Sequence, residues 1–134
     1  MIKTEKINIK TKGNTDIINI TEKVRNILEK TKSKEGMVNV FVRGTTAALT
    51  INEYETNLIK DIKNVFDKLI EKDKEYNHND GNAHSHLREI LLLPNVSIPF
   101  KESELLLGTW QQILLIDFDT RPRQREIIVQ ITGE

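Results

Sequence analysis

Apolar and polar residues alternate near both ends of the chain. Ile7 and Ile9 alternate with polar residues within Ile2 to Ile9, and Ile127, Val129 and Ile131 do the same near the C-terminus. A period of two is the mark of a half-buried strand. Gly13-Asn14 signals a turn, and Asp16 to Ile20 reads as a second short strand. A helix is expected next, with Thr21 as its cap, Glu22 in its first turn, Val24, Ile27 and Leu28 on its apolar face and Gly36 as its stop. Lys30, Lys32 and Lys34 complement the negative end of its dipole. Met37 to Val42 puts Val38, Val40 and Val42 on one face and Asn39 and Phe41 on the other. After Arg43-Gly44, Thr45 to Ile51 reads as a further strand.

The strongest helical signal runs from about Asn57 to Lys72. Leu58, Ile59, Ile62, Val65, Phe66, Leu69 and Ile70 recur there at helical spacing, opposite Lys and Asp. Leu91-Leu92-Leu93-Pro94 closes a short element, Asn95 to Phe100 is a strand ended by Pro99, and Glu102 to Leu107 is a turn leading into a strand. Ile113-Leu114-Leu115-Ile116 is apolar without a break, as expected of a central strand covered on both faces. Trp110 is expected to anchor the core or a subunit interface. Together these elements predict a single α+β domain over residues 1–134, a sandwich of seven or eight mostly antiparallel strands with two main helices.

Composition narrows the classes. At 134 residues the chain can build one core. Its 20 basic and 20 acidic residues cancel, so no overall charge draws it to nucleic acid or to an anionic membrane. Cysteine is absent, which excludes disulfides, thiolate catalysis and a cysteine-based zinc site. No apolar run approaches the roughly 20 residues of a membrane span, and the N-terminus lacks the apolar core of a signal peptide. A soluble cytoplasmic protein is expected.

Candidate chemistry gathers between Tyr76 and Glu89. All three histidines, His78, His84 and His86, lie there beside Asp80 and several asparagines. Imidazole is the commonest metal ligand and titrates near neutrality, so the segment reads either as a functional site or as a polar loop of chance composition. His84 and His86 share a face on a strand but diverge on a helix. Arg121, Arg123 and Arg125 suit phosphate through the planar guanidinium fork. Salt bridges to Glu102, Glu104 or a neighbouring subunit are the plainer alternative for them. RNA is disfavoured by the neutral charge and the few aromatics.

Three stretches occur in a telling order: T-T-A-A-L-T-I-N-E at Thr45 to Glu53, Y-N-H-N-D-G-N-A-H-S-H-L at Tyr76 to Leu87, and L-L-L-G-T-W-Q-Q-I-L-L-I-D at Leu105 to Asp117. In sequence and spacing they resemble the YjbQ family over nearly the whole chain, most specifically at G-T-W-Q and the acid and arginines after it. The resemblance implies a homotrimer of β-sandwich subunits flanked by helices, with a secondary thiamine-phosphate synthase activity. That reaction joins a pyrimidine methyl diphosphate to a thiazole phosphate and releases pyrophosphate. The resemblance gives catalytic roles to Glu53, Gln111, His86 and Asp117, the last at a position more often glutamate. Argued from side-chain chemistry instead, Thr45, Thr46, Arg123 and Arg125 are expected to bind phosphate, and His78, His84 and His86 a divalent metal with Glu53 or Asp117 as a carboxylate partner. Histidine ligands favour a zinc-like ion, whereas diphosphate chemistry favours magnesium. One departure stands out: many relatives have a histidine immediately before the threonine pair, where this chain has Gly44. A non-catalytic binder of a phosphorylated metabolite and a metal-dependent hydrolase are the alternatives.

Overall fold

The computed structural model describes all 134 residues. The elements follow in the order β1 (Ile2–Thr11), β2 (Asp16–Asn19), α1 (Thr21–Thr31), β3 (Glu35–Val42), β4 (Ala47–Asn52), α2 (Thr56–Leu69), α3 (Ala83–Glu89), β5 (Asn95–Lys101), β6 (Glu104–Leu105), β7 (Gln112–Asp117) and β8 (Arg123–Gly133). All strand pairs are antiparallel. The larger sheet has the order β1-β8-β3-β5-β6 and the smaller β2-β7-β4. This is the expected single α+β domain.

The period-two stretches build the larger sheet. β1 runs against β8 over its whole length, Ile2 opposite Thr132 and Thr11 opposite Arg123. Val38, Val40 and Val42 face inward beside Ile127, Val129 and Ile131, and meet Leu49, Ile113 and Leu115 of the smaller sheet and Val24 and Leu28 of α1. β7 is the middle strand of the smaller sheet, which explains its unbroken hydrophobicity. Its other face, Leu114 and Ile116, joins Ile17, Ala48 and Phe118 under α2. Phe66 of α2 reaches this second cluster, its ring 4.8 Å from that of Phe118 and nearly edge-on.

Several local expectations need correction. Thr21 does not cap α1 but is its first residue. Its backbone N–H and its hydroxyl both donate to the Asn19 side chain, and its hydroxyl oxygen accepts from the Ile113 amide. Gly36 does not stop α1: Lys32 does, in the left-handed conformation, and Gly36 lies inside β3. A Cβ on Gly36 would come within 2.0 Å of the Thr132 carbonyl oxygen, so close packing of β8 explains that glycine. β5 runs through Pro99 to Lys101 rather than ending at the proline. The long helix ends at Leu69, and Val65 and Leu69 on its apolar stripe are exposed. Trp110 is 70% exposed and therefore not part of this chain's core. A third helix, α3, occupies the histidine segment where no helix was expected.

Candidate functional site

Two acids at the end of β7 and two arginines at the start of β8 meet across the sandwich. Arg125 grips Asp117 with Nε on Oδ2 at 2.7 Å and Nη2 on Oδ1 at 2.9 Å. The Asp117 carboxylate also accepts from the Thr11 hydroxyl at 2.6 Å and from the Asp119 amide at 2.9 Å, so its hydrogen-bonding capacity is well used. Arg125 Nη2 donates to Thr46 Oγ1 at 2.6 Å, and that hydroxyl donates to Asp119 Oδ2 at 3.0 Å. Asp119 in turn accepts from Arg123 Nε at 2.7 Å. Burial opposes ionisation of Asp119, but hydrogen bonds from Arg123, the Thr120 amide and Thr46 outweigh it and hold the carboxyl below its usual range. The expected partners Glu102 and Glu104 play no part. Asp117 and Asp119 fill that role.

This buried network fixes the loop between β3 and β4. The Thr46 carbonyl accepts from the Phe118 amide at 2.8 Å, and the Thr45 carbonyl accepts from His86 Nδ1 at 3.1 Å. A carbonyl only accepts, so Nδ1 carries the proton, and Nε2 is the free nitrogen of the neutral ring. His78 lies face to edge with His86, ring centroids 5.0 Å apart. His78 Nε2 donates to Asn82 Oδ1 at 3.1 Å and lies 3.6 Å from an Asp80 oxygen. The two rings border a hollow of about 470 Å³ lined also by Tyr76, Asn77, Ala83 and Leu87. Glu89, one turn beyond His86, has its carboxyl pushed above the usual range by burial, against the opposing pull of His86.

α3 is moored at both ends of this arrangement. Arg88, buried, donates from Nε and Nη2 to the Ile70 carbonyl at 3.1 and 2.7 Å, capping α2, and its Nη1 lies 3.4 Å from Asp67. His84, two residues before His86, points about 200° away around the helix. It is buried, and burial first, then the nearby charges of Arg88 and Lys72, lowers its pKa.

The predicted residues therefore divide into three. Thr45, Thr46, His78, His86, Asp117, Arg123 and Arg125 come together around the β3–β4 loop. His84 does not join His78 and His86, and no group of three or more His, Asp or Glu side chains that could hold a metal ion exists in the chain. The three-histidine metal site does not fit this chain. Glu53 and Gln111 form the third group, at the far end of β4 and β7: Asn52 pairs with Gln112, whereas Ala47 pairs with Asp117. Five strand steps separate the two ends, roughly 17 Å. Gln111 accepts from the Gly108 amide at 2.7 Å and closes its own turn. Thr11, Arg88, Glu89 and Asp119 were not singled out for the site in the sequence. For Asp119, its alternation with Asp117, matching that of Arg123 with Arg125, was the available signal.

Gly44 sits above the network with φ +116°, and a Cβ there would lie 2.7 Å from Arg125 Nη1. Any L side chain at this position would be strained and would displace the guanidinium.

The architecture defines a small antiparallel sandwich carrying a loop-and-helix site of threonine, histidine and buried arginine. Comparison with known proteins gives the family: a family model described as "UPF0047 protein YjbQ-like" matches residues 5–134, and the chain belongs to this family. It is 41% identical over 126 residues to a UPF0047 protein of Archaeoglobus fulgidus, covering 92% of this chain and 97% of that one. It is 37% identical over 133 residues to one of Methanothermobacter thermautotrophicus, covering 98% and 92%. Among solved structures, a hypothetical protein of Aeropyrum pernix superposes with a TM-score of 0.93 at 33% identity, over 98% of this chain and 99% of that one. A YbjQ-like protein of unknown function from Sulfolobus solfataricus gives 0.91 at 34% identity, over the whole of both chains. No helix is long and apolar enough to cross a membrane.

Proposed function

We propose that this protein handles a small phosphorylated metabolite where the Gly44–Thr46 loop, His86 and Arg125 meet, and that its reaction is a group transfer of the thiamine-phosphate synthase type in the cytoplasm. One observation carries this reading: a histidine whose Nδ1 is committed to the Thr45 carbonyl stands next to a loop pinned by a buried guanidinium. In the transfer, the bond from the pyrimidine methylene carbon to the diphosphate oxygen breaks, and the diphosphate keeps the electron pair. The thiazole nitrogen supplies the pair for the new carbon–nitrogen bond. Negative charge grows on the departing diphosphate, where preorganised cationic donors act most strongly. Arg125, its charge already paired with Asp117, offers its unpaired Nη1 as a donor, and His86 in its protonated form delivers a proton from Nε2 to the leaving oxygen.

Glu53 and Gln111 enter such a site only from another copy. A cyclic homotrimer, in which the Glu53 end of one subunit meets the His86 end of the next, supplies the head-to-tail contact this requires. With His84 turned inward, a metal-dependent hydrolase has no three-ligand group in one chain to rest on. A non-catalytic binder of the same metabolite is the second reading, favoured by the distance between Glu53 and His86.

Pyrophosphate release from the pyrimidine diphosphate, with the thiazole phosphate present, tests the transfer. Wild type should exceed His86→Gln by about 10²-fold, the scale of a lost acid–base group. Wild-type release at background, with the phosphorylated compounds still bound, leaves the binding protein.

A further inference from the structure

The side chains expected to hold phosphate are largely spent inside the protein. Thr46 Oγ1 accepts from Arg125 and donates to Asp119. Arg123 Nε is bound to Asp119, and Arg125 Nε and Nη2 are bound to Asp117 and Thr46. What remains unpaired is more specific. The backbone N–H groups of Gly44, Thr45 and Thr46 donate to no acceptor in the chain, whereas the Thr45 and Thr46 carbonyls are both engaged. Thr46 is a buried residue, and an unpaired amide at such a position is uncommon. Arg125, with only 9% of its side chain exposed, has one guanidinium nitrogen without a hydrogen bond, Nη1. A Cβ on Gly44 would come within 2.7 Å of that nitrogen.

Resting on the phosphometabolite reading above, we propose that the Gly44, Thr45 and Thr46 amides and Arg125 Nη1 form an oxyanion cradle for the terminal phosphoryl group of a phosphate monoester or diphosphate. Consecutive free amides beside a guanidinium match an oxygen-rich anion, which accepts several donors at once. Gly44 keeps the cradle open, because any β-carbon there would fill the space over Nη1. The neighbouring His86 ring then stands beside the bound phosphoryl group, its Nδ1 held by the Thr45 carbonyl. The side chains of Thr46, Arg123 and Asp119 hold the cradle in shape and do not touch the ligand.

The test is a ¹⁵N amide titration of the intact protein with inorganic phosphate and with pyrophosphate, on wild type and Gly44→Ala. The cradle predicts saturable shifts of the Gly44, Thr45 and Thr46 amides in wild type. In Gly44→Ala, affinity should fall by about tenfold or more, the scale of losing one hydrogen bond to a charged group. Saturable binding that leaves these three amides unmoved overturns the cradle while the phosphometabolite reading stands. No saturable response to either anion overturns the cradle. If the phosphorylated pyrimidine and thiazole also fail to bind, the functional reading falls with it. Should Gly44→Ala fail to fold, the wild-type titration alone decides.

Discussion

Arg125 of the larger sheet and Asp117 of the smaller one form a two-point ion pair across the sandwich, with 9% and 0% of their side chains exposed. The pair sits at the end of the β7–β4 ladder that abuts the β3–β4 loop, so structure and site share the same residues. Removing one member leaves the other charged and buried. Asp117→Asn and Arg125→Met should each destabilise the fold by ~3–5 kcal/mol, the usual cost of breaking such a pair. Denaturant unfolding with an unchanged m-value checks this. A loss below about 1 kcal/mol, the range of an exposed pair, would contradict it.

His84 gives stability a pH dependence. Its folded pKa lies below the unfolded value because burial disfavours the imidazolium. The unfolded chain therefore takes up a proton near pH 6.5, before the folded chain does. Stability should fall as pH drops below that point, until the folded form also titrates. His84→Gln should flatten this slope in unfolding experiments between about pH 5 and 7. Asp119 acts at lower pH. Its depressed folded pKa contributes stability that is present above about pH 4 and lost as the folded carboxyl titrates.

Arg88 ties α3 to the end of α2 through the Ile70 carbonyl. Arg88→Ala should cost ~1–3 kcal/mol by unpairing that half-buried acceptor. It should also raise hydrogen exchange across residues 71–82 and α3. Exchange that rises equally over the whole chain would show that Arg88 serves the fold at large and not the seating of α3.

Assembly is tested separately. The division of the predicted site between the two ends of the β4–β7 ladder leads us to expect a trimer in sedimentation equilibrium at micromolar concentration. A monomer mass across that range would leave Glu53 and Gln111 outside any site with His86.

The sandwich was legible in the sequence because its strands alternate cleanly and β7, covered on both faces, does not alternate at all. The histidine segment was less so. Ala83 and Leu87 give α3 almost no apolar period, and the helix is held by Arg88 on a carbonyl of α2 and by His86 on a carbonyl of the β3–β4 loop. Such contacts are tertiary and leave no local signal. Local pattern does not separate His84 from His86, but the family resemblance sets His78 and His86 at regularly histidine positions and His84 at a more variable one. In the structure His84 is buried and His86 borders the hollow. Glu53 and Asp117 flank two strands that run antiparallel, and only the register of β4 on β7 reveals that they lie at opposite ends.

The central claim is that the site between the β3–β4 loop and α3 recognises a phosphorylated small molecule. Calorimetric titration of wild type with the thiazole phosphate and the pyrimidine diphosphate, each against its alcohol, tests this most directly. Each phosphorylated form should bind at least about tenfold more tightly than its alcohol, the equivalent of one charge-assisted hydrogen bond. Equal affinity for phosphate and alcohol, or no binding of either, would contradict the account.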